Sequence, residues 1–363
     1  MGLGSNHYEH SSTWNEILSQ GTVWQSVLSQ LDRDNTAEKI LGDNSRGASW
    51  LFVGCGTSYY LAQAAASSWT TTTGESARAV PASEILLYPQ LLKMNGSHSR
   101  AVVISRSGRT SEAIRAAQVL KRDLRIHTIG ITCAQGSELA PQCDSMIVVS
   151  AADEKSTVMT RSFTSMLISL QYLAAKQAGD ANFLADLRVM AHGFPSRTAS
   201  IAKQMETFVA SHSFDDYVFF GQGPFYGLAQ EAALKVMEMS CAYSQFFHTL
   251  EFRHGPKSIV SPKTCLMFFL SPKGQKDEAE VLAEMSELGG ITIAIHNQAT
   301  GAQAEEKIAL EANLEIQLDL PVGELATLAP YIVPGQLMGF FNGIRKGLNP
   351  DEPKNLTRVV ILD

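Results

Sequence analysis

The feature that most constrains this 363-residue chain is an internal repeat. The stretch Trp50-Leu-Phe-Val-Gly-Cys-Gly-Thr-Ser-Tyr-Tyr-Leu-Ala-Gln63 lies on Tyr217-Val-Phe-Phe-Gly-Gln-Gly-Pro-Phe-Tyr-Gly-Leu-Ala-Gln230 at a constant shift. Both glycines, the tyrosine and Leu-Ala-Gln coincide. Further on, Ile104-Ser-Arg-Ser-Gly108 meets Leu270-Ser-Pro-Lys-Gly274, Glu112-Ala113 meets Glu278-Ala279, and Ile129-Gly-Ile-Thr132 meets Ile293-Ala-Ile-His296. Three collinear matches predict two copies of one unit, a domain duplication rather than a short-period solenoid.

Each copy alternates short apolar runs with helical spacing. Ser49–Gly54, Ala77–Val80, Ala101–Ile104, His127–Thr132 and Ser145–Ser150 read as strands. Tyr59–Trp69, Ser83–Leu92, Glu112–Lys121 and Thr160–Ala178 read as helices, with a turn and helix expected after Thr132. Thr13–Leu31 reads as one or two helices divided at Gly21. Alternation of this kind predicts an α/β fold: two tandem, doubly wound, parallel-sheet lobes of flavodoxin-like type, flanked by helices. The expected division is an N-terminal helical segment over 1–48, a first lobe over 49–181, a helical linker over 182–212 broken at Pro195, a second lobe over 213–345, and a tail over 346–363. The opening Met1 to Ser5 is left out of this reading.

The chemistry concentrates after the strand Ala101–Ile104. Ser105, Ser107, Thr110 and Ser111 bring hydroxyls to a loop that ends at a helix N-terminus, where the first N–H groups lack internal partners and the dipole is positive. That combination suits an anion, above all a phosphate, although Ser and Thr here could also serve only as caps. The second copy has Pro272 in the matching loop, which removes an N–H. One phosphate site per chain is therefore expected, in the first lobe. Gly54-x-Gly56 has Tyr59 where a dinucleotide fingerprint needs its third glycine, and there is neither a Walker motif nor a metal-ligand spacing. No cofactor and no metal are expected.

Composition narrows the partners. A net charge of −7 argues against nucleic acid. Five scattered cysteines without a CxxC pattern suggest reduced thiols and a cytoplasmic location. The absence of a leader or a long apolar run argues against a membrane span.

Taken together, Gly54-Cys-Gly-Thr-Ser58, Ser105-x-Ser-Gly-x-Thr110, the duplication, Ala233-Leu-Lys-Val-Met-Glu-Met-Ser240 and Arg253-His-Gly-Pro256 resemble the sugar isomerase (SIS) family. The likeness is greatest to the isomerase half of glucosamine-6-phosphate synthase and to stand-alone phosphosugar isomerases, aminosugar deaminases and deglycases. It runs from Thr13 to the end of the chain and includes Pro353-Lys-Asn-Leu-Thr-Arg358. The resemblance implies that Ser105, Arg106, Ser107 and Thr110 hold a sugar phosphate and that Thr57 and Ser58 line the same pocket. It implies that Glu238 moves protons between C1 and C2 of the open sugar, with Lys235 one turn away. His254 would assist ring opening, reaching the site of a partner subunit, so a homodimer with shared active sites, or a higher assembly, is expected.

Two departures qualify the resemblance. The chain starts at the isomerase portion without a glutaminase domain, so glutamine-dependent amination is not expected. The family's tail lysine, able to form an imine, is here Arg358, which stays protonated and cannot form one; it could still bind an anion and close the site. The expected function is C1–C2 proton transfer on a hexose-6-phosphate derivative, as isomerase or aminosugar-phosphate deaminase. The competing readings are a deglycase of a sugar-phosphate–amine conjugate and a non-catalytic sugar-phosphate sensor.

Overall fold

The structure, a computed structural model, describes residues 8–42, 46–92, 98–297 and 310–362; Met1 to Ser5 fall outside them. The chain forms two compact units. The first lobe consists of Thr22–Glu154, Arg161–Arg188 and the tail from Thr357 on. The second consists of the N-terminal segment up to Gly21, Lys155–Thr160 and Val189–Leu356.

The first lobe is built on a parallel sheet of β1 (Ser49–Gly54), β2 (Ala77–Pro81), β3 (Ser99–Ile104), β4 (His127–Thr132) and β5 (Ser145–Val148), in the order β2-β1-β3-β4-β5. Its helices are α3 (Thr36–Leu41), α4 (Thr57–Thr73), α5 (Ala82–Leu87), α6 (Ser111–Gln118) and α7 (Arg161–Ala178). The second lobe repeats the plan with β6 (Asp216–Gly221), β7 (Ser244–Phe247), β8 (Thr264–Phe269), β9 (Ile291–His296) and β10 (Leu314–Gln317), ordered β10-β9-β8-β6-β7. It carries α1 (Ser12–Leu18), α9 (Pro195–Ser211), α10 (Phe225–Ser240), α11 (Gln275–Glu287) and α12 (Leu328–Arg345). Two helices, α2 (Gln20–Arg33) and α8 (Ala181–Gly193), pass from one unit to the other within their length.

The predicted α/β class and its duplication are both present, because the central strands are apolar on both faces. Leu51, Val53, Ala101 and Val103 pack against Ala113, Ala117 and Leu120 in one lobe, and Val218, Phe220, Leu266 and Phe268 against Val281 and Leu282 in the other. Local differences have local causes. The break near the N-terminus falls at Ser19, and Gly21 lies inside α2, where a Cβ would come within 2.6 Å of the Pro195 ring. No α-helix follows Thr132: Gly136 at φ +66° and Pro141 leave only a 3₁₀ turn at Ala140–Gln142 before β5. Among the described residues, no helix is long and apolar enough to cross a membrane.

The two copies agree in detail at the ends of their central strands. Gly54 and Gly221 each sit where a Cβ would strike the following helix, at 2.4 Å from Ser58 and from Phe225. Gly56 and Gly223 each adopt φ near +50°, at +53° and +52°. The repeated Gly-x-Gly therefore serves a strand-to-helix turn that side chains would obstruct.

The copies part company one strand further on. In both, a serine Oγ accepts the glycine N–H three residues later: Gly108 to Ser105 at 3.1 Å, and Gly274 to Ser271 at 3.0 Å. In the first lobe Ser105 Oγ then donates to Thr110 Oγ1 at 3.2 Å. In the second, Ser271 Oγ donates to Glu278 Oε1 at 2.5 Å and Ser271 N to Oε2 at 3.4 Å, so that loop is closed by a buried carboxyl from its own helix.

Burial pushes the Glu278 carboxyl up to about 7, and the hydrogen bonds from Ser271 only partly oppose it. The folded chain thus holds a proton here to a higher pH than an unfolded carboxyl near 4.5. The associated stability is complete below the unfolded value and is lost as pH rises through 7, a difference of about 3 kcal/mol. Glu278→Gln cannot ionise. Its melting temperature is expected to fall less than that of the parent between pH 5 and 8, with the gap widening toward pH 8. Parallel curves would remove Glu278 as the source.

Candidate active site

In the first lobe, the chain leaves β1 for β2 on one side and then crosses to β3 on the other. The gap between β1 and β3 is the switch point of the sheet, where ligands of such folds bind at the carboxyl ends of strands. Val53 pairs with Val103, so the loops that follow both strands begin side by side. This brings Thr57 and Ser58, at the start of α4, to the same sheet end as Ser105, Arg106, Ser107 and Thr110.

Gly108 makes the second loop possible. Its φ is +60°, and a Cβ there would lie 2.2 Å from Ser137 Cβ. Ser105 is buried, whereas Ser107 and Thr110 are partly open. Ser107 Oγ accepts from Arg109 N at 3.2 Å. The Arg106 side chain turns inward: Nη1 lies 3.4 Å from Glu154 Oε2, and Nη2 donates to the Arg358 carbonyl at 3.1 Å. Glu154 also accepts from Ser162 N at 3.1 Å. Arg106 and Glu154 are 5% and 0% exposed, so removing either leaves a buried charge uncompensated, at about 3–5 kcal/mol. Glu154 was not visible from sequence, because nothing local links it to a loop so far away in the chain.

The start of α6 is less open than its sequence suggests. Ser111 N donates to the Val360 carbonyl at 3.3 Å, and Ser111 Oγ accepts from Leu362 N at 2.9 Å. The tail thus takes both the N–H and the hydroxyl that were expected to be free at Ser111. Arg358 does reach this lobe, but its guanidinium pairs with Asp153 at 2.7 Å.

The second lobe holds the other predicted residues. Lys235 on α10 is fully buried, 3.3 Å from Glu231 and in direct hydrogen bond with Glu238. Spacings of four and three residues put the three groups on one face of the helix. The pair Lys235–Glu238 is therefore no surface ion pair. Burial by itself would push the ammonium down, but Glu231 and Glu238 outweigh it and raise its pKa. Glu231 and Lys235 are both inaccessible, while Glu238 remains 18% exposed. Of the three, Glu238 alone keeps an edge open to solvent. Glu231 was missed, although its place one turn before Lys235 was a usable signal.

α10 is held firmly. Gly335, Gly339 and Gly343 give α12 a side-chain-free stripe, and a Cβ at Gly339 would lie 2.6 Å from the Lys235 carbonyl. Buried Asn342 donates to Ser240 Oγ at 2.9 Å, and Lys346 to the Ser240 carbonyl at 3.0 Å. His254 stands in a separate turn and is exposed.

Among the described residues no group of His, Cys, Asp and Glu could hold a metal ion. A cavity of about 430 Å³ along α9, lined in part by Ser200, Lys203, Thr207 and His212, includes none of the predicted site residues.

Comparison with known proteins gives these observations a family. The SIS domain model matches residues 46–176 and 215–325. The chain is 26% identical over 345 residues to the isomerizing glutamine–fructose-6-phosphate aminotransferase of Methanothermobacter thermautotrophicus, covering 94% of this chain and 55% of that protein. Against such curated relatives it spans only about half their length. A Streptomyces coelicolor protein provisionally named a D-galactosamine-6-phosphate deaminase is 25% identical over 362 residues, with 94% and 91% covered. The crystal structure of glucosamine-6-phosphate deaminase from Thermotoga maritima superposes with a TM-score of 0.78 at 29% identity, covering 97% of this chain and all of that one. With both matched segments falling on the two sheets and their loops, this chain belongs to the SIS domain family.

Proposed function

We propose that this protein is a phosphosugar isomerase or aminosugar-phosphate deaminase that works on a hexose 6-phosphate derivative by moving a proton between C1 and C2. The observation that carries the reading is the Glu231–Lys235–Glu238 array, in which a carboxylate with limited solvent access stands against a buried ammonium. Aldose–ketose interconversion needs a base that takes a proton beside a carbonyl and returns it to the neighbouring carbon. Glu238 is that base. Lys235, hydrogen-bonded to it, orients it. His254 is the acid that protonates the ring oxygen as the sugar opens, and its exposure suits a group that serves a second copy in a homodimer.

The phosphate is bound by Ser105, Ser107 and Thr110 with Thr57 and Ser58. Arg106 supports that loop through its ties to Glu154 and the Arg358 carbonyl. Arg358, paired with Asp153, helps to seat the tail and takes no part in imine chemistry. In the second lobe, Glu278 already fills the equivalent loop, which supports one phosphate per chain. Two relatives of near-equal length support the proposal, one provisionally and one plainly named a deaminase of an aminohexose 6-phosphate. The five cysteines are all free, in keeping with a reducing, cytoplasmic setting.

Two experiments test this reading. Glu238→Gln keeps the shape of the side chain but not its basicity, and kcat should fall by roughly 100- to 10,000-fold with KM little changed. Near-normal turnover would take Glu238 out of the mechanism and favour a sensor. For the phosphate, Arg106 is a poor probe because its loss would also destabilise the fold. Ser107→Ala combined with Thr110→Ala should instead raise KM by about ten- to a hundredfold. Ser271→Ala should leave KM as it was; equal losses from the two lobes would contradict a single site.

A further inference from the structure

His254 lies between two 3₁₀ turns, Leu250–Arg253 and Pro256–Ile259, joined through Gly255 at φ +124°. Phe252 anchors the first turn in the core, with ring centroids 4.8 Å from Phe220 and 5.2 Å from Phe247. The two residues that bracket the histidine share a second anchor. Arg253 Nε lies 2.7 Å from Glu284 Oε2, and Lys257 Nζ lies 2.6 Å from Glu284 Oε1, so one carboxylate on α11 gives an oxygen to each flank. Glu280 stands behind it, 4.0 Å from Arg253. The two cations hold the Glu284 carboxyl below its ordinary range, Lys257 contributing most.

Ion pairs this open to solvent stabilise a fold by no more than about 1 kcal/mol each. Geometry is the better account of this one. Phe252 anchors the residues before His254 and Val260 packs on the core beyond the second turn, but Gly255, directly after the histidine, has no side chain to hold it. A carboxylate gripping both sides restrains the backbone on either side of the imidazole. We propose that Glu284 is a positioning residue for His254, holding the turn in the conformation needed to protonate a sugar ring oxygen. The proposal rests on the reading of His254 as the ring-opening acid.

A substrate that needs no ring opening separates the two. Fructose 6-phosphate and tagatose 6-phosphate are largely closed through O5, whereas their 5-deoxy analogues cannot close that ring. The full-length protein is assayed by exchange of the C1 hydrogen for deuterium, using whichever natural ketose phosphate the parent accepts and its 5-deoxy analogue. Glu284→Gln should lose about ten- to a hundredfold on the cyclic substrate, and stay within about twofold of the parent on the open one. His254→Ala should show the same selectivity. If Glu284→Gln fails to fold, Arg253→Gln with Lys257→Gln removes the clamp from its other side and should give the same pattern. Equal losses on both substrates, or none on either, would overturn the positioning role. A selective His254→Ala beside an unselective Glu284→Gln defeats the clamp alone. An unselective His254→Ala defeats the ring-opening reading and the clamp with it, and a parent that exchanges no ketose phosphate, with or without added ammonium, defeats the proposed function.

Discussion

A fully buried ammonium is among the most demanding groups a protein can carry, and Lys235 is one. Taking it out of water is tolerable only because two carboxylates reach it, one a turn before and one a turn after on the same helix. That requirement fixes much around it. Glu231 must be as deeply buried as the lysine, and Glu238 must stay close enough to share the charge while keeping an edge in solvent. α12 must pass close over this turn, hence the glycines spaced by four along it. A helix so constrained has little freedom to slide or rotate. The carboxylate at its edge is held in one place by the same forces that make the lysine bearable.

The two sheets show how a duplication can keep its backbone and change its chemistry. Gly54 with Gly56, and Gly221 with Gly223, preserve one strand-to-helix turn in both lobes. The serine–glycine turn after the next strand is preserved as well. Only what meets the serine differs: a threonine hydroxyl in one lobe and a buried carboxyl in the other. A single side chain, reaching back from the first turn of α11, is enough to close one loop with a carboxyl where the other presents a threonine hydroxyl.

Much of this was legible in the sequence. The strands announce themselves as unbroken apolar runs, since both faces are covered, and β1 and β4 fall on the residues their spacing predicts. The loop after β3 was legible as a turn because hydroxyls, a glycine and a helix start occur within a few residues. The array on α10 was half legible: Lys235 and Glu238 stand out, while Glu231 needs the further step of asking what neutralises a buried lysine. What could not be read were partnerships across long stretches of chain. Arg106 with Glu154, Arg358 with Asp153, Ser111 with the tail and Arg253 with Glu284 all depend on tertiary placement. Each of them alters the behaviour of a residue whose type alone suggested something simpler. Arg106, whose type suggests a ligand for phosphate, also lies 3.4 Å from a buried carboxylate.

The repeat suggests two modules strung one after the other, yet the compact units are not contiguous. The chain crosses between them at Gly21, Glu154, Thr160, Arg188 and Leu356. Two of the crossings fall inside helices, α2 and α8. A fragment cut to the bounds of the first sheet would lose α2 and the tail strand of contacts at Ser111; one cut to the second would lose α1. Each unit thus draws part of its packing from chain that lies outside its own sheet's stretch of sequence.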